Sequence, residues 1–250
     1  MKLSEYKKIN FLYALLLIFA LWQAASVLVN KEILPTPLSV IEYIFKNLSK
    51  EIMLHISYSF KRILIGLLAT VIVGVPFGII MGYYKRVDSI LSPILYFNYP
   101  VPKIALLPIV MLFFGLGEMP KYIMIFLITF FPVVVNIRDK VKSISEEIYY
   151  PMYSLGASDF QIIYEIVLPA TLPVILTSVR IGIGTAISIL FFTENFGTEY
   201  GMGYYIMDSW MRVSYIQMYS AILILSFIGL MFFIITDIFE SFLCPWKDKS

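Results

Sequence analysis

The chain has 250 residues, of which 60% are hydrophobic and 14% charged, with a mean hydropathy of +0.84. A soluble domain carries about a quarter charged residues, so this composition excludes an ordinary soluble globule and marks an integral membrane protein. A net charge of +2 gives no electrostatic footprint for nucleic acid, and the single cysteine, Cys244, cannot close an internal disulfide.

At about 20 residues per span, the length suits one domain, residues 1–250, holding about six membrane helices. A basic segment with Lys2, Lys7 and Lys8 precedes an apolar run over 11–29. That run exceeds a signal-peptide core and no A-x-A cleavage site follows it, so it reads as a retained first span. Residues 30–56 form a polar, proline-containing connection with a short helix from Ser39 to Leu48. The lone histidine there, His55, has no ligand partner at metal spacing and reads as an ordinary polar residue.

The second span is predicted over 57–83. Gly74, Gly78 and Gly82 recur every fourth residue, after Gly66, and bare one helix face for close packing; Pro76 bends the same helix. A third span over 90–115 contains Pro100, Pro102 and Pro108, which are incompatible with one uninterrupted helix. It is expected to enter the membrane through an irregular segment buried in protein or lining a cavity. The fourth span is predicted over 121–136.

A loop over 138–173 then interrupts the hydrophobic pattern. Gly156 can take the positive φ that ends a short helix, and Ser158 with Gln161 has the pattern of a capping box. The next helix is expected from Asp159 to about Leu168, broken or kinked by Pro169 and Pro173. Phe160, Ile163, Tyr164 and Val167 recur at helical spacing and predict one apolar face. Such a face docks onto another protein or packs on the chain's own spans.

The fifth span is predicted over 174–195 and the sixth over 214–243, joined by a glycine-bearing connection with Gly197, Gly201 and Gly203. Arg180 either snorkels to the interface or attracts an anion to a path through the membrane. Thr185 and Ser188 could offer hydroxyls to that path, and Glu194 could line its mouth or sit at the interface. Basic residues cluster on the side shared by both termini, among them Lys85, Arg86, Arg138, Lys140, Lys142, Lys247 and Lys249. This predicts cytoplasmic termini and a cytoplasmic 138–173 loop. There is no G-x-x-x-x-G-K-[ST] phosphate loop and no second histidine for a triad or metal cluster, so the chain is not expected to be an enzyme and implies no cofactor.

Gly156, nine residues, then Ile166-Val167-Leu168-Pro169 resembles the EAA loop, G-x9-I-x-L-P, of ABC-transporter permeases. The name-giving Glu-Ala-Ala is replaced by Tyr150-Pro151-Met152. From Pro35 to Ile235 the chain also resembles the nitrate/sulfonate/taurine branch of importer permeases, through Pro35-Thr36-Pro37, Ser59 with Arg62, the prolines of 100–108, Phe114-Gly115-Leu116-Gly117-Glu118 and Leu172-Pro173 with Val179-Arg180. The resemblance implies an all-α, type I (MetI-like) permease of the bacterial or archaeal plasma membrane. Its partners would be cytoplasmic ATPases, an extracytoplasmic substrate-binding protein and a second copy of itself. In that family the loop docks into the ATPase, which would give Gly156, Ala157, Ser158, Phe160, Ile163, Tyr164, Ile166, Leu168 and Pro169 the coupling role. The cargo would be small, either nitrate-, sulfonate- or taurine-like, or a thiamine precursor, riboflavin or another small molecule. A secondary transporter is the remaining class; it would show inverted repeats and intramembrane carboxylates, and no repeat is visible.

Overall fold

The computed structural model describes residues 2–29 and 32–246. Lys31, Lys247 and Lys249 of the charge tally lie outside the described residues, as do the side chains of Lys2, Lys7 and Lys8. The described residues form helices α1 (Lys2–Val29), α2 (Pro37–Asn47), α3 (Lys50–Tyr83), α4 (Lys85–Asn98), α5 (Leu107–Phe114), α6 (Met119–Lys142), α7 (Tyr150–Ser154), α8 (Asp159–Ile162), α9 (Leu168–Thr193), α10 (Met202–Met211) and α11 (Tyr215–Leu243). Four helical runs are long and apolar enough to cross a membrane, and the bent pair of α4 with α5 makes a fifth if it counts as one span. Tyr13–Val29 is a shorter apolar helix.

Local caps set several boundaries. Thr36 accepts a hydrogen bond from the Ser39 amide, with Pro37 in the first turn of α2. Ser49 caps α3 in the same way through Ile52. The helix that carries the second predicted span therefore starts at Lys50, ahead of residue 57, because the polar stretch before Ser57 continues the capped helix. α1 is tied to this region by Trp22 Nε1–H donating to the Pro35 carbonyl (3.1 Å) and Ser26 Oγ to that of Leu34 (2.8 Å).

The central contact is α3 against α6, and the glycine row makes it. A Cβ built on Gly78 would lie 2.9 Å from Ile137 Cβ, and one on Gly82 would lie 2.5 Å from Val141 Cβ. Lipid supplies no hydrophobic drive between helices, so this close approach is the source of their van der Waals attraction. A side chain there would push the helices apart. Gly78→Leu is expected to lower the melting temperature of the detergent-purified protein well beyond Gly184→Leu, whose site faces open space.

Between α4 and α5 the chain bends by 87°. The prolines remove donors there, and Lys103 fills part of the gap: its ammonium donates to the carbonyls of Asn98 and Val101 and sits 4.8 Å from the Phe131 ring centre. The irregular passage expected over 100–108 is thus satisfied from within the chain.

Three stretches differ from the sequence reading. α6 runs on to Lys142, since Arg138 and Lys142 both reach Asp88 of α4 and are held in the bundle. α8 does not end at Leu168: a π-helical turn over Ile163–Val167 carries it into α9, giving one run from Asp159 to Thr193. Pro169 is the second residue of α9, directly after the wide turn, which accommodates the ring. The supposed connection after residue 196 contains α10, with Met202, Tyr205 and Ile206 buried in the main core.

Candidate functional site

Chemistry-bearing residues gather at the two ends of α6, whose 24 residues separate them by about 36 Å. At one end lies the element over 146–168. α7 closes in a Schellman motif: the Ala157 amide donates to the Met152 carbonyl (3.0 Å) and the Gly156 amide to that of Tyr153 (3.0 Å). Gly156 takes φ +71°, and no atom lies within 4 Å of a Cβ built on it. Conformation, not space, demands glycine here. Two residues on, Ser158 and Gln161 form the expected capping box, with the Ser158 amide donating to Gln161 Oε1 at 2.8 Å.

The predicted apolar face divides in two. Val167 is fully buried and Ile163 packs beside it, while Phe160 and Tyr164 are 76% and 60% exposed and stack on each other at 6.4 Å. Ile162, which was not among the four, is fully buried. The π turn shifts the register, so residues at simple 3.6 spacing no longer share a face. Leu168 packs on the core with Val167, whereas Ile166 and Pro169 line a shallow groove shared with Ile144, Ile148 and Trp246. The exposed apolar surface of the element includes Leu155, Phe160 and Tyr164 beside Gly156, Ala157 and Ser158, with Ile148, Tyr150 and Tyr153 also exposed.

At the other end is a buried polar node. Arg62, 1% exposed, uses all five of its N–H groups. Nε and Nη2 grip the Glu118 carboxylate at 2.8 and 2.5 Å. Nη1 donates to Glu194 (2.7 Å) and the Tyr200 carbonyl (2.6 Å), and Nη2 also to Thr198 Oγ1 (3.1 Å). Glu194 is fully buried and is further bonded by Ser59 Oγ and by the Gly203 amide (2.7 Å). Every partner of Glu194 is a donor, which is the environment of a carboxylate rather than a carboxylic acid. Arg62 likewise holds the Glu118 carboxyl below the usual range.

Two further residues complete the node. Lys121, 2% exposed, donates to the carbonyls of Leu116, Gly117 and Gly197. His55 Nδ1 lies 3.0 Å from both the amide and the carbonyl of Gly201 and is joined to that residue in either tautomer. The loop at 194–203 is thus bolted to α3 and to the turn before α6. Gly201 is required by its φ of +138° and by proximity: an added Cβ would lie 2.6 Å from Arg62 Nη1.

Two of the path-lining candidates have partners within the chain. Glu194 belongs to the node. Arg180 pairs with Asp237 and Glu240 of α11. Thr185 and Ser188 donate to their own helix carbonyls at Gly182 and Gly184. Both sit on an exposed face of α9.

The sequence reading missed the node and named Arg62 only beside Ser59 in the family resemblance. The available signal was Arg62 within α3 and Lys121 in the first turn of α6, with Glu118 at the start of α6 and Glu194 at the end of α9. Among the described residues no group of His, Cys, Asp or Glu is arranged to hold a metal ion.

An all-helical chain with four or five candidate spans, a charge node buried among them and an exposed amphipathic element at one end is a polytopic membrane protein. The chain belongs to the binding-protein-dependent transport system inner membrane component family, which it matches over residues 74–247, and is an ABC-transporter permease of that type. It is 34% identical to the taurine transport system permease protein of Escherichia coli (strain K12) over 75% of this chain and 71% of that one. It is 31% identical to the putative aliphatic sulfonates transport permease protein of Bacillus subtilis (strain 168), covering 93% and 85% of the two chains. It is 28% identical to the formylaminopyrimidine transport permease protein of Halalkalibacterium halodurans, covering 94% of each.

Proposed function

We propose that this permease forms, with a second copy of itself, the path of an ATP-driven importer for a small organic solute. An extracytoplasmic binding protein delivers the solute, and cytoplasmic ATPases drive the cycle. The 146–168 element carries the reading: a capped helix pair at one end of the bundle exposes Leu155, Phe160 and Tyr164. Exposed aromatics beyond the membrane ends need a protein partner more than lipid-facing ones do. ATP-driven closure of the ATPases would move this element and shift the spans between inward- and outward-open states.

Both termini and the 146–168 element face the cytoplasm in this reading, and the protein sits in the inner membrane. Engagement of Arg62 and Lys121 in the buried node removes them as free charges from the opposite side, which supports the orientation. The relatives' names point to two cargo classes, a taurine- or alkanesulfonate-like anion and a thiamine-precursor pyrimidine. The sulfonate-type and the pyrimidine-type relatives both align over most of both chains, so both cargo classes stand.

The test is co-expression with the neighbouring genes and purification in mild detergent. A P-loop ATPase is expected to accompany the wild type and to be lost from Phe160→Asp, which places a charge at the centre of the apolar patch. Equal recovery of the ATPase with the variant would remove the docking role from this element. A protein that purifies alone yet transports without ATP would make it a secondary transporter.

A further inference from the structure

A cavity of about 540 Å³ separates the end of α3 and the end of α6 from the 146–168 element. Beside it, α3 and the π turn share apolar packing through Val75, Ile79, Ile163 and Val167. Tyr83 and Tyr84 cross the gap, as does the Lys85–Glu146 ion pair at 3.6 Å. Tyr83 Oη donates to one oxygen of Asp159 at 3.2 Å, and Tyr84 Oη donates to the other at 3.0 Å. Asp159 is the first residue of α8, and the two tyrosines are the last residue of α3 and the one that follows it. Their rings meet edge to face at 4.9 Å, and Tyr83 also meets Tyr149 at 6.3 Å.

We propose that Tyr83 and Tyr84 are positioning residues that clasp Asp159 and hand displacements of α8 to α3. The proposal rests on the coupling role of the 146–168 element given above. α9 is already joined to α8 through the π turn, so it follows any movement of α8 by covalent continuity. α3 has no such continuity and lies 76 residues away in sequence. The clasp adds a directional polar link to the apolar packing that α3 shares with Ile163 and Val167, and the glycine-row contact passes the displacement from α3 to α6. Hydrogen bonds between phenols and a carboxylate are directional and charge-assisted, yet exposed enough here to break and re-form within a cycle.

The experiment uses the whole complex with its ATPase, in lipid, and follows amide hydrogen exchange with and without ATP plus vanadate. In the wild type the nucleotide is expected to change exchange both in α8, over 159–165, and at the end of α3, over 78–84. In Tyr83→Phe/Tyr84→Phe, which keeps both rings, the change in α8 persists and the change at the end of α3 is lost. Asp159→Ala produces the same loss, and combining it with the tyrosine substitutions adds nothing, as expected for one shared link. Survival of the α3 response in either variant, its absence from the wild type, or additive effects would overturn the clasp. A wild-type complex in which α8 itself does not respond would instead sink the coupling reading.

Discussion

Arg62→Ala is expected to lower the melting temperature of the detergent-purified protein by roughly 10 °C and to cut its yield. The substitution leaves the Glu194 carboxylate fully buried without its cation, and breaking a buried pair from one side costs about 3–5 kcal/mol. At about 2–4 °C per kcal/mol for a chain of this size, that is a large fraction of the total stability. The loss has two parts, an unpaired charge and broken cross-links, and they can be separated. Arg62→Met combined with Glu194→Gln removes the unpaired charge and is expected to recover part of the melting temperature. Arg62→Lys should recover little, because an ammonium offers three donors where five are used and cannot fork the Glu118 carboxylate. A melting curve for Arg62→Ala that overlays the wild type would show that the node does not hold the 194–203 loop.

Gly156→Arg should abolish ATP-coupled transport while leaving insertion and melting nearly unchanged. The site is open, so the added side chain meets nothing in this chain. What folding loses is the preference of glycine for φ +71°, about 1–2 kcal/mol. That is small beside the 3–5 kcal/mol of the buried pair. The arginine lands instead beside the exposed Leu155 and Phe160, where it adds bulk and a charge needing solvation to a surface read as a docking face. Gly156→Ala is the control, because it carries the backbone cost without the bulk; it should retain most of the transport. The check is ATP hydrolysis and uptake by the co-purified complex in proteoliposomes. Equal loss in the alanine and arginine variants would assign the defect to backbone geometry, and no loss in either would end the coupling role of Gly156.

The features readable from the sequence are those whose partners are near in the chain. Gly156, Ser158 and Gln161 act within one or two turns, so their conformations follow from local sterics and hydrogen bonding. The glycine row is equally legible, since any helix places every fourth residue on nearly one face. The π turn was not legible. Its wide register gives Pro169 room in the next helical turn, so a proline that reads as a breaker lies within a continuous run. The same turn separates Phe160 and Tyr164 from Val167, although simple helical spacing puts them together.

The buried node lies further from what a sequence can show. Arg62 meets Glu118 across 56 residues and Glu194 across 132, and nothing in local pattern or propensity selects those partners. Arg180 illustrates the opposite outcome: a cation that the sequence left open as an anion site is matched by two carboxylates near the end of α11. By itself the sequence determined the membrane class, the helical caps, the small-residue packing face and the family resemblance, because composition, short-range geometry and motif spacing are properties of the chain. Only the tertiary structure decided which charges are buried and paired, and which aromatics remain exposed in the 146–168 element. Those outcomes depend on which helices become neighbours, and desolvation on packing then decides whether each charge needs a partner.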